Sequence, residues 1–139
     1  MTLIQQKIEQ FKAEAGDKNQ YTPEQQKIYT AFTKEGGSLT NFIITDCEGK
    51  TLKISVDSAT EVRKILLKHY KTNVGTVTAK EILHMFDVIR FGSKHFNHGN
   101  YVYIHRFVKK GIVFYTVIKL FSNGKDAYLK SFHSNRGYK

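Results

Sequence analysis

A chain of 139 residues, 40% hydrophobic and 24% charged, is long enough for one domain with a real core and too apolar for disorder throughout. Its one cysteine, Cys47, excludes an intrachain disulfide and a multi-cysteine zinc site, and no apolar stretch approaches the ~20 residues that span a bilayer. The net charge of +10 is unevenly placed: residues 1–60 hold 7 Lys against 8 Asp and Glu (−1), whereas residues 61–139 hold 15 Lys and Arg against 4 acids (+11).

All six histidines also lie in the second part, from His69 to His133. A field of that sign concentrates polyanions and releases their counterions on binding, so RNA is the first partner to expect. An acidic protein or an anionic surface are the alternatives. No secretory signal pattern opens the chain, and a reducing cytosol suits the lone thiol, so a cytoplasmic protein without a membrane role is expected.

In chain order, Leu3, Ile4, Ile8 and Phe11 recur at helical spacing over Thr2 to Ala15. Thr22 as cap and Pro23 in the first turn open a second helix with Ile28, Tyr29 and Phe32 as its stripe, ending at Gly36-Gly37. Two short strands, Phe42 to Thr45 and Thr51 to Val56, turn at Glu48-Gly49-Lys50. Ser58 and Glu61 form a capping box for a helix through about Tyr70, and Thr78 with Glu81 opens another carrying Ile82, Leu83, Phe86 and Ile89. Beyond Gly92 the strands Tyr101 to Val108, Ile112 to Leu120 and Ala127 to His133 make a meander with a clear Asn123-Gly124 turn. The expected fold is α+β: residues 1–57 an extension packed on the core, residues 58–139 a basic domain with an antiparallel β-meander.

Phosphate-binding glycine loops, HExxH and paired carboxylates are absent from the sequence. His95 and His98 stand three apart without a third ligand, so neither a metal site nor a cofactor is expected. Few acids and many bases fit RNA cleavage through the 2′-hydroxyl, which needs a proton acceptor, a proton donor and cations for the phosphorane. His69 continues the buried spacing of Val62, Ile65 and Leu66, and as a helix-end imidazole it is expected to favour the charged form; a mere helix-dipole partner is the alternative. Ser131 and His133 share a strand face, alternating with Leu129 on their own side, and Arg136 follows; they are either a phosphate-binding and proton-transfer row or a frayed end. The segment Gly92 to Gly99, with Lys94, His95 and His98, reads as a loop suited to gripping a single-stranded nucleotide. Lys119 ends an apolar strand, and Lys68, Lys71 and Tyr128 complete the expected RNA and phosphate contacts. Tyr101, Tyr103, His105 and Phe107 share a face and are either a base-stacking stripe or core.

The run Val62-Arg63-Lys64-Ile65-Leu66-Leu67-Lys68-His69-Tyr70, the capped helix with Glu81-Ile82-Leu83 and Val88-Ile89, and the closing Ser131-Phe132 resemble the phage-associated branch of the barnase–EndoU–colicin–RelE-like nucleases over roughly residues 58 to 134. The resemblance implies a toxin-type fold whose sheet cradles RNA and whose scission needs no metal. It makes His69 the helix histidine of the active site and Ser131 the hydroxyl residue of the closing strand, with a cognate antitoxin or immunity protein as partner and residues 1–57 as an adaptor or docking surface. His133 and Arg136 join them on local chemistry alone. The expected activity is endoribonucleolytic, with tRNA a candidate substrate and a 2′,3′-cyclic phosphate as product; the alternative is a non-catalytic RNA-binding or protein-interaction module on the same fold.

Overall fold

The computed structural model of the chain describes residues 1–34, 37–97 and 99–137. Helix α1 (Leu3–Ala15) begins where Thr2 and Gln5 cap each other's backbone amides. Helix α2 (Pro23–Thr33) follows a 3₁₀ turn at Lys18–Gln20 and starts with Thr22 and Gln25 in the same reciprocal arrangement. Their buried stripes meet, and Phe11 and Phe32 stack with ring centroids 5.7 Å apart. Gly36, the expected stop, lies outside the described residues.

Strands β1 (Leu39–Thr45) and β2 (Thr51–Asp57) form the expected hairpin, with Phe42 opposite Ile54 and Ile44 opposite Leu52 on the buried face. Helix α3 (Glu61–Lys68) is shorter than its sequence suggests, and the expected Ser58–Glu61 capping box does not form. Ser58 is buried, and its hydroxyl donates to the Ala31 carbonyl at 3.0 Å, one of the acceptors left free by the last turn of α2. A buried acceptor without a partner costs more than a solvent-exposed cap gains, so the tertiary bond wins.

The second capping box, Thr78 with Glu81, does form and opens α4 (Ala79–Leu83). The single helix expected here breaks at His84 into α4 and α5 (Met85–Phe91). The Met85 carbonyl accepts the buried Thr116 hydroxyl at 2.7 Å, tying the start of α5 to the sheet.

The expected loop at 92–99 is instead strand β3 (Ser93–Asn97), followed by β4 (Val102–Lys109), β5 (Ile112–Leu120) and β6 (Asp126–Ser134). The six strands run β1-β2-β6-β5-β4-β3 in one sheet with helices on one side, an α+β architecture. All neighbours are antiparallel except β2 and β6, which pair in parallel through only three residues, Lys53 to Asp126, Ile54 to Ala127 and Ser55 to Tyr128. The sheet is therefore mixed, and the hairpin belongs to it rather than lying outside the meander. Core residues come from both parts of the chain, Phe11, Phe32 and Ile54 as well as Leu66, Phe86 and Phe132.

A bulge in β6 sets which residues face where. Ser131 lies opposite Val117 and Leu129 opposite Ile118, so Lys130 is the extra residue. Leu129 therefore turns into the core beside Phe132, on the side opposite Ser131 and His133. Simple alternation had placed all three together.

The sheet curls around α5 until its two edges meet. Asp46, at the end of β1, and Lys94, on β3, form an ion pair at 2.7 Å with side chains 0% and 8% exposed. Asp46 also accepts the amides of Glu48 and Lys50, both at 2.9 Å, and Lys94 lies 4.6 Å from the centre of the Tyr103 ring. Tyr103, His105 and Phe107 face the helices, so they are core and not a stacking stripe; Tyr101 is exposed. Neither His105 ring nitrogen makes a hydrogen bond of good geometry, and burial, only partly offset by the Thr116 backbone, pulls its pKa to about 4, so it is neutral at pH 7. No helix among the described residues is long and apolar enough to cross a membrane.

Burial pushes the Asp46 carboxyl up, but Lys94 and the two amides outweigh it and hold it below the usual carboxylate range. A depressed carboxylate contributes stability above its unfolded pKa and loses it as pH falls through the folded value. Asp46→Ala leaves the buried Lys94 with only the exposed Glu48 carboxylate, 3.6 Å away, as counter-charge and is expected to cost about 3 kcal/mol in denaturant unfolding, with the wild-type advantage shrinking in acid. The double change Asp46→Leu, Lys94→Met is expected to recover most of that loss.

Candidate active site

After Tyr128 the strands β2 and β6 part, and α3 lies along the opening. The freed edge of β6 is taken over by the loop that follows α3. The Ser134 amide donates to the Gly75 carbonyl at 3.1 Å, the Gly75 amide to the Arg136 carbonyl at 2.7 Å, and the Ser134 hydroxyl to the Thr76 carbonyl at 2.6 Å. This return of the chain carries His69, at the C-cap of α3, over the face of the sheet that the helices leave uncovered.

There the His69 and His133 rings stack at 5.1 Å with planes 30° apart, and His133 stacks in turn on Tyr115 at 5.1 Å. His133 Nδ1 and the Ser131 hydroxyl are hydrogen-bonded at 3.0 Å. The His69 ring fits only because residue 75 is glycine: φ there is +71°, and a Cβ would come 3.0 Å from Nδ1. Beside the pair, Glu61, Lys64, Ile65, Lys68 and His69 of the α3 segment face Tyr128, Lys130 and Ser131 across a groove of about 370 Å³.

The helix-end position was expected to favour imidazolium at His69, and the structure reverses that. Burial lowers its pKa, the Val74 backbone offsets part of this, and the Lys68 charge adds to the lowering. Nδ1 of His69 is buried without a hydrogen bond of good geometry. Burial, then repulsion from His69, brings His133 to about 4. The helix dipole, worth about 0.3–1 kcal/mol, moves a pKa by less than one, so desolvation prevails. Both imidazoles are neutral acceptors at pH 7 in the free protein.

The groove thus gathers His69, Ser131, Lys68 and Tyr128; His133 is stacked against His69 and bonded to Ser131 beside it, and Lys119 lies directly opposite Tyr128 on the same face. Arg136 is not brought there. Its guanidinium forms a two-pronged pair with Glu81 at 2.7 Å for each bond, donates to the Thr76 carbonyl at 3.0 Å and sits over Phe114 on the helix side. Lys94 is withdrawn into its ion pair with Asp46. Lys71 lies over the Tyr70 ring and does not line the groove. His95 is on the uncovered face but on β3, three strands and about 14 Å from β6. His98 lies outside the described residues.

Tyr115, Lys64 and Lys130 were missed in the sequence. Strand alternation from Lys119 through Val117 marks Tyr115, whereas Lys130 is hidden by the bulge. Among the described residues no three of His, Cys, Asp or Glu converge as a metal site. Among the described residues Lys68, Lys119 and Lys130 make no ion pair, while Glu24, Asp46 and Glu81 are occupied by Arg90, Lys94 and Arg136. The uncovered face thereby keeps its positive charges free for an anion.

Comparison with protein-family models, curated proteins and solved structures finds no match to this chain.

The repulsion within the histidine pair is measurable. In an NMR titration the His133 ring is expected to change charge near pH 4, well below its ordinary 6.5, and His69→Gln is expected to raise that midpoint by removing the neighbouring charge. Because the folded value is depressed, stability is expected to fall as pH drops from about 6.5 toward 4, and less so in the variant. A His133 midpoint unmoved by His69→Gln contradicts the coupling.

Proposed function

We propose that this protein is an endoribonuclease of toxin type, on the barnase–EndoU–colicin–RelE-like plan, that cuts RNA without a metal, with tRNA a candidate substrate. The observation that carries the reading is the contact between His69 and His133, at 5.1 Å, at a groove lined by Lys64, Lys68 and Lys130 on the uncovered face of the sheet.

In the proposed reaction the 2′-oxygen attacks the adjacent phosphorus and gives up its proton to one imidazole. The bond to the 5′-oxygen breaks, that oxygen is protonated by the other imidazole, and the products are a 2′,3′-cyclic phosphate and a 5′-hydroxyl. The lysines carry the charge that builds on the equatorial oxygens. A bound phosphodiester adds a negative charge beside two imidazoles whose pKa values burial has lowered, and so raises them toward neutrality, where proton transfer in both directions is efficient. Ser131 orients His133 through its hydrogen bond to Nδ1 and offers a donor to the phosphate. A cytoplasmic nuclease of this kind calls for an inhibitory partner in the cell that makes it, and a cognate antitoxin or immunity protein is part of the same proposal.

A binding module without catalysis is the competing reading, favoured by the engagement of Arg136 with Glu81 away from the groove. Incubation of the full chain with total RNA in excess EDTA distinguishes them. The nuclease is expected to leave fragments ending in cyclic phosphate, and His69→Gln to lower the rate by roughly 10²–10⁴-fold with the fold intact by circular dichroism. RNA left whole but retarded in a salt-sensitive gel shift establishes the module instead.

A further inference from the structure

We infer that Phe121 and Tyr128 form a base-stacking subsite that admits unpaired nucleotides, so that the groove selects single-stranded RNA over duplex. The inference rests on the groove being an RNA site.

Alternation along β5 carries the uncovered face from Tyr115 through Val117 and Lys119 to Phe121, just past the end of the strand. Phe121 is 48% exposed and contributes nothing to the core. Its ring meets Tyr128, which lines the groove, with centroids 5.6 Å apart and planes at 47°.

A loose turn does not explain this exposure. The Phe121 amide donates to the Asp126 carbonyl at 2.8 Å, the Gly124 amide to the Phe121 carbonyl at 3.0 Å, and the Asn123 side chain accepts the amides of Lys125 and Asp126, both at 2.9 Å. A large ring held out by a hydrogen-bonded turn exposes apolar surface at a cost that binding can recover.

The surroundings suit a nucleotide. Tyr128 lies between Ser55 on β2 and Lys119 on β5, and Lys130 is the next side chain lining the groove on β6. Aromatic faces with cations beside them bind any base by stacking while the cations follow the phosphates. In a duplex those base faces are already stacked, so only an unpaired base can enter. From Tyr128 to His133 the ladder advances four positions on β5, Lys119 to Tyr115, or about 13 Å. The platform and the histidine pair therefore hold different nucleotides of one strand, and the platform sets which phosphate reaches the histidines.

The test is anisotropy of a fluorescein-labelled 12-nucleotide 2′-O-methyl oligouridylate, which cannot undergo 2′-hydroxyl attack, with the full chain. Phe121→Ala is expected to weaken binding roughly 5–150-fold, the range of one lost stacked base, and Phe121→Trp to restore it. Duplex of the same length is expected to bind more weakly and to be indifferent to Phe121. Single-strand affinity of Phe121→Ala within two-fold of wild type, or equal loss for duplex, overturns the subsite. If the strand binds through Phe121 while RNA stays whole in EDTA, the subsite stands and the nuclease reading falls. If RNA is cut and Phe121→Ala is neutral, only the subsite falls; absence of both binding and cleavage removes the two together.

Discussion

Three residue pairs, Lys53 with Asp126, Ile54 with Ala127 and Ser55 with Tyr128, join the N-terminal hairpin to the C-terminal strands. Their brevity matters as much as their presence. Had β2 followed β6 to its end, the edge of β6 would be filled and α3 would have no opening to lie along. The pairing instead stops at Tyr128, Lys130 bulges, and the loop at residues 75–77 supplies partners for Ser134 and the Arg136 carbonyl. The groove is the gap so left, and His69 is delivered to it because the chain must turn back from α3 to make that second set of bonds. Gly75 completes the arrangement by leaving room for the ring.

The charges follow from the same architecture. Carboxylates on the helices and the hairpin are matched internally, Glu24 and Asp87 with Arg90, Glu81 with Arg136, Asp46 with Lys94. Their cationic partners thereby become structural. Among the described residues, Lys68 and Lys130 are without an ion pair at the groove and Lys119 stands on the strand beside it, while Lys80, Lys109 and Lys110, also unpaired, lie around the helix-side pocket. Asp46 and Lys94 also close the curled sheet across its two edges, so one pair serves both curvature and charge separation. Next to them His105 is kept neutral by burial, at a place with no access to a substrate.

Local signals in the sequence were readable where local physics decides. Thr2, Thr22 and Thr78 each cap a helix as their spacing indicates, and the hairpin turn and the Asn123-Gly124 turn lie where glycine and asparagine mark them. Failures occur where a distant partner intervenes. Ser58 abandons its cap for the Ala31 carbonyl; the glycines and polar donors of residues 92–99 read as a loop, and β3 forms there with Lys94 on its inward side, paired with the remote Asp46. A bulge has no sequence period, so simple alternation puts Leu129 with Ser131 and sets Tyr128 and Lys130 apart from it, both reversed in the structure, while Ser131 and His133 share a face as the spacing indicates. Arg136 was assigned to the groove by nearness in sequence, yet the two-pronged Glu81 carboxylate outcompetes any role there. The charge on His69 was misjudged for a related reason, since burial by the 70–77 loop is invisible in the helix that ends at Lys68.

In the proposed function His69 and His133 together receive a phosphate. A titration of the ring resonances with uridine 3′-monophosphate tests it without requiring turnover. The resonances of His69 and His133 are expected to move together on addition of nucleotide and both midpoints to rise, because an anion beside the pair opposes the burial that lowers them. Saturable binding that leaves His69 and His133 unmoved, or that perturbs His84 beside the Arg136 pocket instead, contradicts it.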